Sequence, residues 1–403
     1  MADGLSIASL FLSAAALAAS VYVLGFAIYG IRLRGKKSPL PADSSCPSFF
    51  VLIPAHNEAA GIAATIQSIH HAEYPSAKLR VITLADNCID NTAEIARAAG
   101  SEVWQRNDPS NPGKGQVLAW ALPQAAAGAF DFAAIIDADT LVDRAFFSTI
   151  AAQAAADQVA CPVAVYQGRY EFAATQQGGN KWFENFTLAS KSAENSFIYL
   201  PRAAAGLVNL LQGNGFCISS AALQQVPFAA GSVVEDAEYA LMLAMAGVPV
   251  RFVDDARIYA RMTETVRDAA PQRLRWASGI FRLFGEVPRL IATGIRRRSW
   301  KMIEAALMLL LMSRMILVSL TFGALALATV VLAMFGARLA FGLAAVAIVL
   351  QLTYLVLMFR KSGDRPYSMA GLAWAPFYWL FISFVQLAAL AGFGRKRWTR
   401  TVR

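Results

Sequence analysis

Two regimes of hydrophobic patterning divide the chain. Residues 5–31 form one unbroken apolar run and most of residues 302–393 is apolar again, whereas the stretch between carries short apolar runs separated by polar turns. A bilayer crossing takes about 20 apolar residues, so both ends predict membrane spans. Residues 5–31 lack a basic leading segment and exceed the length of a signal-peptide core. They are followed at once by Arg32, Arg34, Lys36 and Lys37, which predicts an uncleaved anchor with its N-terminus outside and the following residues cytosolic. Residues 302–336 are longer than one span and hold Glu304 and Arg314, which predicts an interfacial helix before Arg314 and a span from about residue 315 to 335. Residues 339–359 predict a return to the side of Arg360, Lys361 and Arg365. The last apolar stretch, 367–393, is open: a full crossing leaves Arg395, Lys396 and Arg397 outside, and Pro376 permits a kinked or re-entrant segment instead.

Between these ends, residues 49–53 and 132–136 are continuous apolar runs, the pattern of buried strands, and residues 81–85, with Thr83 at their centre, predict a strand between them. Helical periodicity over 61–71 follows the first, and Asp90 to Thr92 carry N-cap chemistry for a helix running to Ala99. Successive βα units predict an α/β fold with a doubly wound, mostly parallel sheet. Farther on, the pattern predicts a helix over 144–156, a strand over 159–166, a polar and aromatic stretch over 167–199 and a glycine-rich turn over 211–215. A helix over 237–246 and a helical stretch opening at Pro271 complete it. The expected organisation is an anchor over 1–35, a proline- and serine-rich linker over 36–47, a cytosolic domain over 48–295 and a membrane region of two to three spans over 296–403.

Composition changes this picture in one respect. The net charge of +9 invites a nucleic-acid reading, but residues 41–295 hold 24 acidic against 18 basic side chains. The positive excess flanks the apolar segments, where the positive-inside preference and anionic lipid account for it, so no nucleic-acid partner is expected. Cys46, Cys88, Cys161 and Cys217 show no C-x-x-C spacing, and the three histidines include no i, i+4 pair, so neither a disulfide framework nor a zinc site is indicated.

The candidate chemistry is acidic. The 132–136 run stops at Asp137 and Asp139, two carboxylates at the carboxyl end of a strand, where ligands bind in open α/β sheets and where spaced acids suit one hard cation. Asp86 ends the 81–85 run, and a turn-capping role serves it equally well. Lys114 lies in a Gly113–Gly115 turn. Glu235 and Asp236 open a helix, a placement the helix dipole favours whatever their chemistry. Gln272, Arg275 and Trp276, at i, i+3 and i+4, share one helical face.

This ordered set resembles the family 2 glycosyltransferases of GT-A fold, in particular the membrane-embedded cellulose, chitin and hyaluronan synthases and the nodulation-factor chitooligosaccharide synthases. The resemblance covers roughly residues 48–290 and the flanking membrane arrangement. It implies Pro54 and Glu58 in the floor of a uridine pocket, Asp86 as a nucleobase partner, and Lys114 reaching the donor. Asp137 is then a donor contact and Asp139 the ligand of Mg2+ or Mn2+. The acidic pair Glu235–Asp236 supplies a general base in its second member, although Val234 stands where the family often has Thr. Arg275 meets the diphosphate, Gln272 and Trp276 meet the acceptor, and Asn214 lies beside the acceptor. The implied activity is an inverting transfer from a nucleotide diphosphate sugar, with a UDP-sugar as the expected donor, to a glycan acceptor at the inner membrane, extending to β-linked oligosaccharide or polysaccharide. Transfer of one sugar to a membrane lipid and a catalytically silent nucleotide-binding protein are the alternatives.

Overall fold

The computed structural model describes residues 2–34, 46–126, 130–157, 163–173, 181–229, 234–263, 265–311, 314–336, 338–364 and 366–393. Most of the expected linker, Cys161, Arg365, the basic tail at 395–397 and the first residues of the expected 159–166 strand lie outside them, as does the Arg314 side chain. In chain order the elements are α1 (Ala2–Leu33), β1 (Phe49–Ala55), α2 (Ile62–His70), β2 (Leu79–Asp86), α3 (Thr92–Ala98), β3 (Glu102–Arg106), α4 (Lys114–Ala126) and β4 (Phe132–Ile135). There follow β5 (Thr140–Val142), α5 (Phe146–Asp157), β6 (Val165–Ala173), α6 (Lys181–Glu194), α7 (Leu200–Ala204), β7 (Phe216–Ser219), α8 (Ser220–Gln225) and α9 (Glu235–Ala246). The chain continues with β8 (Val250–Arg261), α10 (Val266–Leu283), α11 (Val287–Arg296), α12 (Trp300–Leu311), α13 (Arg314–Phe335), α14 (Arg338–Lys361) and α15 (Ala375–Leu390).

Two compact units result. Of the described residues, one comprises those within 46–173 and 203–279, and the other those within 2–34, 181–202 and 280–393. The polar and aromatic stretch expected to belong wholly to the α/β domain therefore divides, its helical part at 181–202 joining the apolar helices.

In the α/β unit one mixed sheet runs in the order β3-β2-β1-β4-β7-β6-β8-β5. β1 pairs parallel with β2 on one side and with β4 on the other, so the chain reverses its winding beside the carboxyl ends of β1 and β4. Alternate side chains of β1, Phe49, Val51 and Ile53, are fully buried against Ile62, Ile66 and Ile69 of α2 and Phe147 and Ile150 of α5. The isoleucines recur at i, i+4 and i+7, one stripe of α2. Each such buried side chain contributes about 2 kcal/mol.

The expected strands at 49–53, 81–85 and 132–136 are all present. The sheet is less uniform than expected, since β4–β7, β6–β7 and β5–β8 are antiparallel. β6 runs on to Ala173 because its polar residues are paired inside the fold: Arg169 donates to Glu171 at 2.6 Å and to Asp254 at 2.5 Å. α10 starts before Pro271, at a signal the periodicity missed. Thr265 accepts from the Asp268 N–H at 3.2 Å and donates to the Asp268 carboxylate at 2.6 Å, a capping pair that opens the helix.

Among the described residues of the other unit, four helical segments are long and apolar enough to cross a membrane: 3–33, 316–335, 338–361 and 369–390. Small residues form their seam, with Ala16 of α1, Ala324 and Ala328 of α13, and Ala340, Ala344 and Ala347 of α14 all buried, as expected where helices associate by close approach. Gln351 donates to Ser20 and Thr321 across the same seam. The last stretch is a 3-10 turn at Met369–Trp374 leading into α15. Pro376 sits in the first turn of α15, where its missing N–H breaks no helical bond, rather than at a mid-helix kink.

Candidate active site

The loops after β1 and β2 are laced into one floor. The His56 ring donates to the Asp86 carbonyl at 2.7 Å, the Ile89 N–H to the Asn57 side chain at 2.8 Å, and the Glu58 N–H to the Thr92 hydroxyl at 2.8 Å. Asn57 and Asn87 adopt positive φ, 57° and 50°, a conformation asparagine tolerates better than most residues. Pro54, next to last in β1, lies opposite Leu84. Asp86 is 1% exposed, and its carboxylate accepts from Arg106 at 2.7 Å, from Asn87 at 3.1 Å and from the Gly113 N–H at 3.4 Å. Asp86 is thus the anchor of this floor. Arg106, which also grips Asp108 at 2.8 Å, was not singled out in the sequence; its signal was a lone cation ending an alternating run.

At the winding reversal, the turn after β4 presents Asp137 and Asp139, both half-buried. Its seat is α2: Thr65 donates to the Ala138 carbonyl at 2.8 Å, and a Cβ on Gly61 would stand 3.3 Å from that oxygen. Asp137 pairs with Lys114, which also donates to the Gly213 carbonyl. Asn214 is 1% exposed. Its amide oxygen accepts from the Asp137 N–H at 3.0 Å and its NH2 donates to Thr140 at 2.8 Å. Both polar ends of Asn214 thus hold the acidic turn.

Gly213 connects this turn to the second acidic pair. Its φ is 79°, and a Cβ there would stand 3.0 Å from an Asp236 carboxylate oxygen. Glu235 and Asp236 open α9 behind Val234, which offers no capping side chain. Burial pushes the Glu235 carboxyl upward, with the Asp236 and Asp137 charges adding to the shift and Lys114 opposing it. Burial likewise raises Asp236, against the Ala237 N–H and Lys114, which favour its ionised form. One lysine and three carboxylates therefore share a field around a glycine.

On α10, Gln272 is buried and Arg275 and Trp276 are half-buried. One turn later, a Cβ on Gly279 would come within 2.9 Å of Val234 Cγ2. The glycine lets this helix lie directly against the residue preceding Glu235. The Arg273 guanidinium lies 5.5 Å from the centroid of the Trp276 ring, a cation–π contact on that side chain.

Among the described residues no group of three or more His, Cys, Asp or Glu side chains converges as a metal cage. A Mg2+ or Mn2+ that takes most of its ligands from phosphate oxygens and water needs only one or two carboxylates, and Asp139 beside Asp137 fits that donor set.

The family model described as Glycosyl transferase family group 2 matches residues 133–385, from β4 through α10 and into the last apolar helix. The chain belongs to this family. Among relatives of this glycosyltransferase, the beta-monoglucosyldiacylglycerol synthase of Nostoc sp. is 25% identical over 304 residues, covering 70% of this chain and 62% of the relative. The cellulose synthase catalytic subunit (UDP-forming) of Pseudomonas fluorescens is 26% identical over 261 residues, covering 62% and 33%. The chain thus spans less than two thirds of the length of either relative. Among solved structures, the mannosyltransferase PcManGT from Pyrobaculum calidifontis, in complex with GDP-Man and Mn2+, superposes with a TM-score of 0.59 at 18% identity, over 97% of this chain and 99% of that one. The GT-A fold of this chain follows from that likeness.

Proposed function

We propose that the protein transfers a sugar from a nucleotide diphosphate sugar to an acceptor hydroxyl with inversion at the anomeric carbon. The observation that carries this reading is the convergence of Asp137, Lys114 and Asp236 on the Gly213 turn. A sugar hydroxyl is a poor nucleophile at neutral pH, and Asp236 accepts its proton as the oxygen attacks. The new C1–O bond forms as the bond to the diphosphate breaks, and the electron pair leaves with the nucleoside diphosphate. Attack opposite the leaving group makes a β-glycoside from an α-linked donor.

Asp139, with Asp137 beside it, is the residue suited to hold Mg2+ or Mn2+, which when bound neutralises charge on the departing diphosphate. Pro54, Glu58 and the Asp86–Arg106 framework form the nucleoside side of the site. Arg275 is suited to the diphosphate, and Gln272 and Trp276 to the acceptor. The protein is expected in the cytoplasmic membrane with this unit on the cytosolic side.

A glycan acceptor, with stepwise growth of a β-linked chain, is the leading reading. A lipid acceptor is the second, favoured by a membrane unit of four candidate spans, few for a polymer conduit, and by likeness to a glucosyldiacylglycerol synthase. A UDP-sugar is the first donor to try; GDP-mannose is the second, since the mannosyltransferase of similar fold holds it. The test is incubation of the purified full chain in lipid nanodiscs with UDP- and GDP-sugars, Mn2+ and mixed acceptors, followed by mass spectrometry of products. Nucleotide binding without turnover of any donor would identify a silent binding protein instead.

The field around Gly213 also gives a pH dependence. Both carboxyls of the pair are raised, so the base is protonated, and activity lost, at a higher pH than for an exposed aspartate. Lys114 opposes that shift. Lys114→Met should move the acid limb of the kcat/KM profile of the residual activity upward. An unmoved or downward-moved limb counts against Asp236 as the titrating base.

A further inference from the structure

We infer that Gln167 is a positioning residue for the transfer reaction, acting through the 212–215 turn on both the donor-side acids and the base. Gln167 lies on β6, the last position in register with both β7 and β8 before the irregularity at Gly168/Arg169. Its side chain is fully buried and fully used. Its carbonyl oxygen accepts from the Gln212 N–H at 2.9 Å, and its NH2 donates to the Asn214 and Gly168 carbonyls, each at 2.9 Å. One amide thus clips the two ends of a turn that has no regular ladder of its own.

The turn needs that clip. Gly213 and Gly215 both hold positive φ, 79° and 66°, which glycine adopts at little steric cost but also leaves readily. Gly215 is fastened at its N–H to the Ile135 carbonyl, 3.0 Å, and at its own carbonyl by the Gly168 N–H, 2.8 Å. Gln167 supplies the corresponding hold on residues 212 and 214. Every group the turn presents belongs to the proposed chemistry: the Asn214 side chain carries the Asp137 N–H and Thr140, the Gly213 carbonyl receives Lys114, and the Gly213 Cα faces the Asp236 carboxylate. A shift of the turn therefore displaces Asp137, Lys114 and Asp236 relative to one another. The nucleoside floor, built by the loops after β1 and β2, shares none of these hydrogen bonds.

The inference rests on the proposed transfer reaction, and wild-type release of nucleoside diphosphate from a donor of the panel is the control that separates the two: no release by wild type defeats the reaction, not the role of Gln167. With an active wild type, Gln167→Met keeps the volume and removes the hydrogen bonds. It should lower kcat about 10- to 100-fold, the scale of an ångström's misplacement of reacting groups, with UDP or GDP affinity measured by calorimetry in chelator, which reads the nucleoside floor alone, changed less than about threefold. Because Gln167 acts through the turn, Asn214→Ala combined with Gln167→Met should cost little more than Asn214→Ala alone, the mark of coupled residues. Gln167→Glu, which keeps the acceptor but sets a carboxylate against two carbonyls, should behave like Gln167→Met and serves if the latter does not fold. Wild-type kcat in either variant, a matched fall in nucleotide affinity, or full additivity with Asn214→Ala would overturn the assignment.

Discussion

Asp236→Asn should lower sugar transfer by about 10²- to 10⁴-fold, the range attributable to a general base, while the protein still binds nucleotide. The substitution is close to isosteric, and the amide oxygen can still accept from the Ala237 N–H that serves the carboxylate. Gly213 offers no side chain at this point, so the added NH2 meets a backbone Cα and not a packed side chain. What is lost is the capacity to take a proton. UDP and GDP titrations should match wild type, because the floor at Asp86, Arg106, His56 and Asn57 is hydrogen-bonded independently of α9. Normal turnover in Asp236→Asn would move the base role elsewhere, with Glu235 the next carboxylate in the same field.

The parts of this site that could be read in the sequence are those whose chemistry coincides with an element boundary. Asp137 and Asp139 end an apolar strand, Glu235 and Asp236 open a helix, and Gln272, Arg275 and Trp276 repeat at helical spacing, so residue type and local pattern pointed the same way. Asn214, Gln167, Arg106 and Arg169 carried no such mark. Asn214 gains its role from Asp137 and Thr140, more than seventy positions earlier in the chain, and Gln167 from a turn 45 positions later. A buried polar side chain is intelligible only with its partners, and those partners come from other strands of the sheet.

The fold divides in the same way. Buried strands β1, β2 and β4 were legible because their runs are apolar, Thr83 of β2 being the one polar side chain among residues 49–53, 81–85 and 132–136. β3 was not, because its polar residues face outward at a sheet edge: Glu102 is exposed and pairs with Arg80 of β2. β6 was cut short because the ion pairs that let Arg169 enter the interior draw on Asp254, 85 residues away. The candidate spans were legible from their apolar length, but the joining of residues 181–202 to them depends on side-chain pairs such as the bidentate contact of Arg202 with Glu304, at 2.5 and 2.7 Å. Isolated charges of that kind look like surface residues in a sequence. Their pairing across one hundred positions makes them buried ones.

Asp139→Ala should abolish the metal dependence of nucleotide binding, with a loss of affinity in Mn2+ of about 10²-fold or more, the equivalent of roughly 3 kcal/mol. The backbone that seats the turn does not depend on this carboxylate: Thr65 holds the Ala138 carbonyl and the Thr140 N–H donates to the Asp137 carbonyl at 3.1 Å, so the variant should fold. Titrations of UDP and GDP with Mn2+ and with chelator would measure the effect without any need for the acceptor. In wild type the two conditions should differ widely; in Asp139→Ala they should converge on the weaker value, set by the nucleoside floor alone. An equal Mn2+ enhancement in both proteins would place the cation on other oxygens and leave Asp139 as a structural neighbour of Thr140, whose hydroxyl lies 3.4 Å from it.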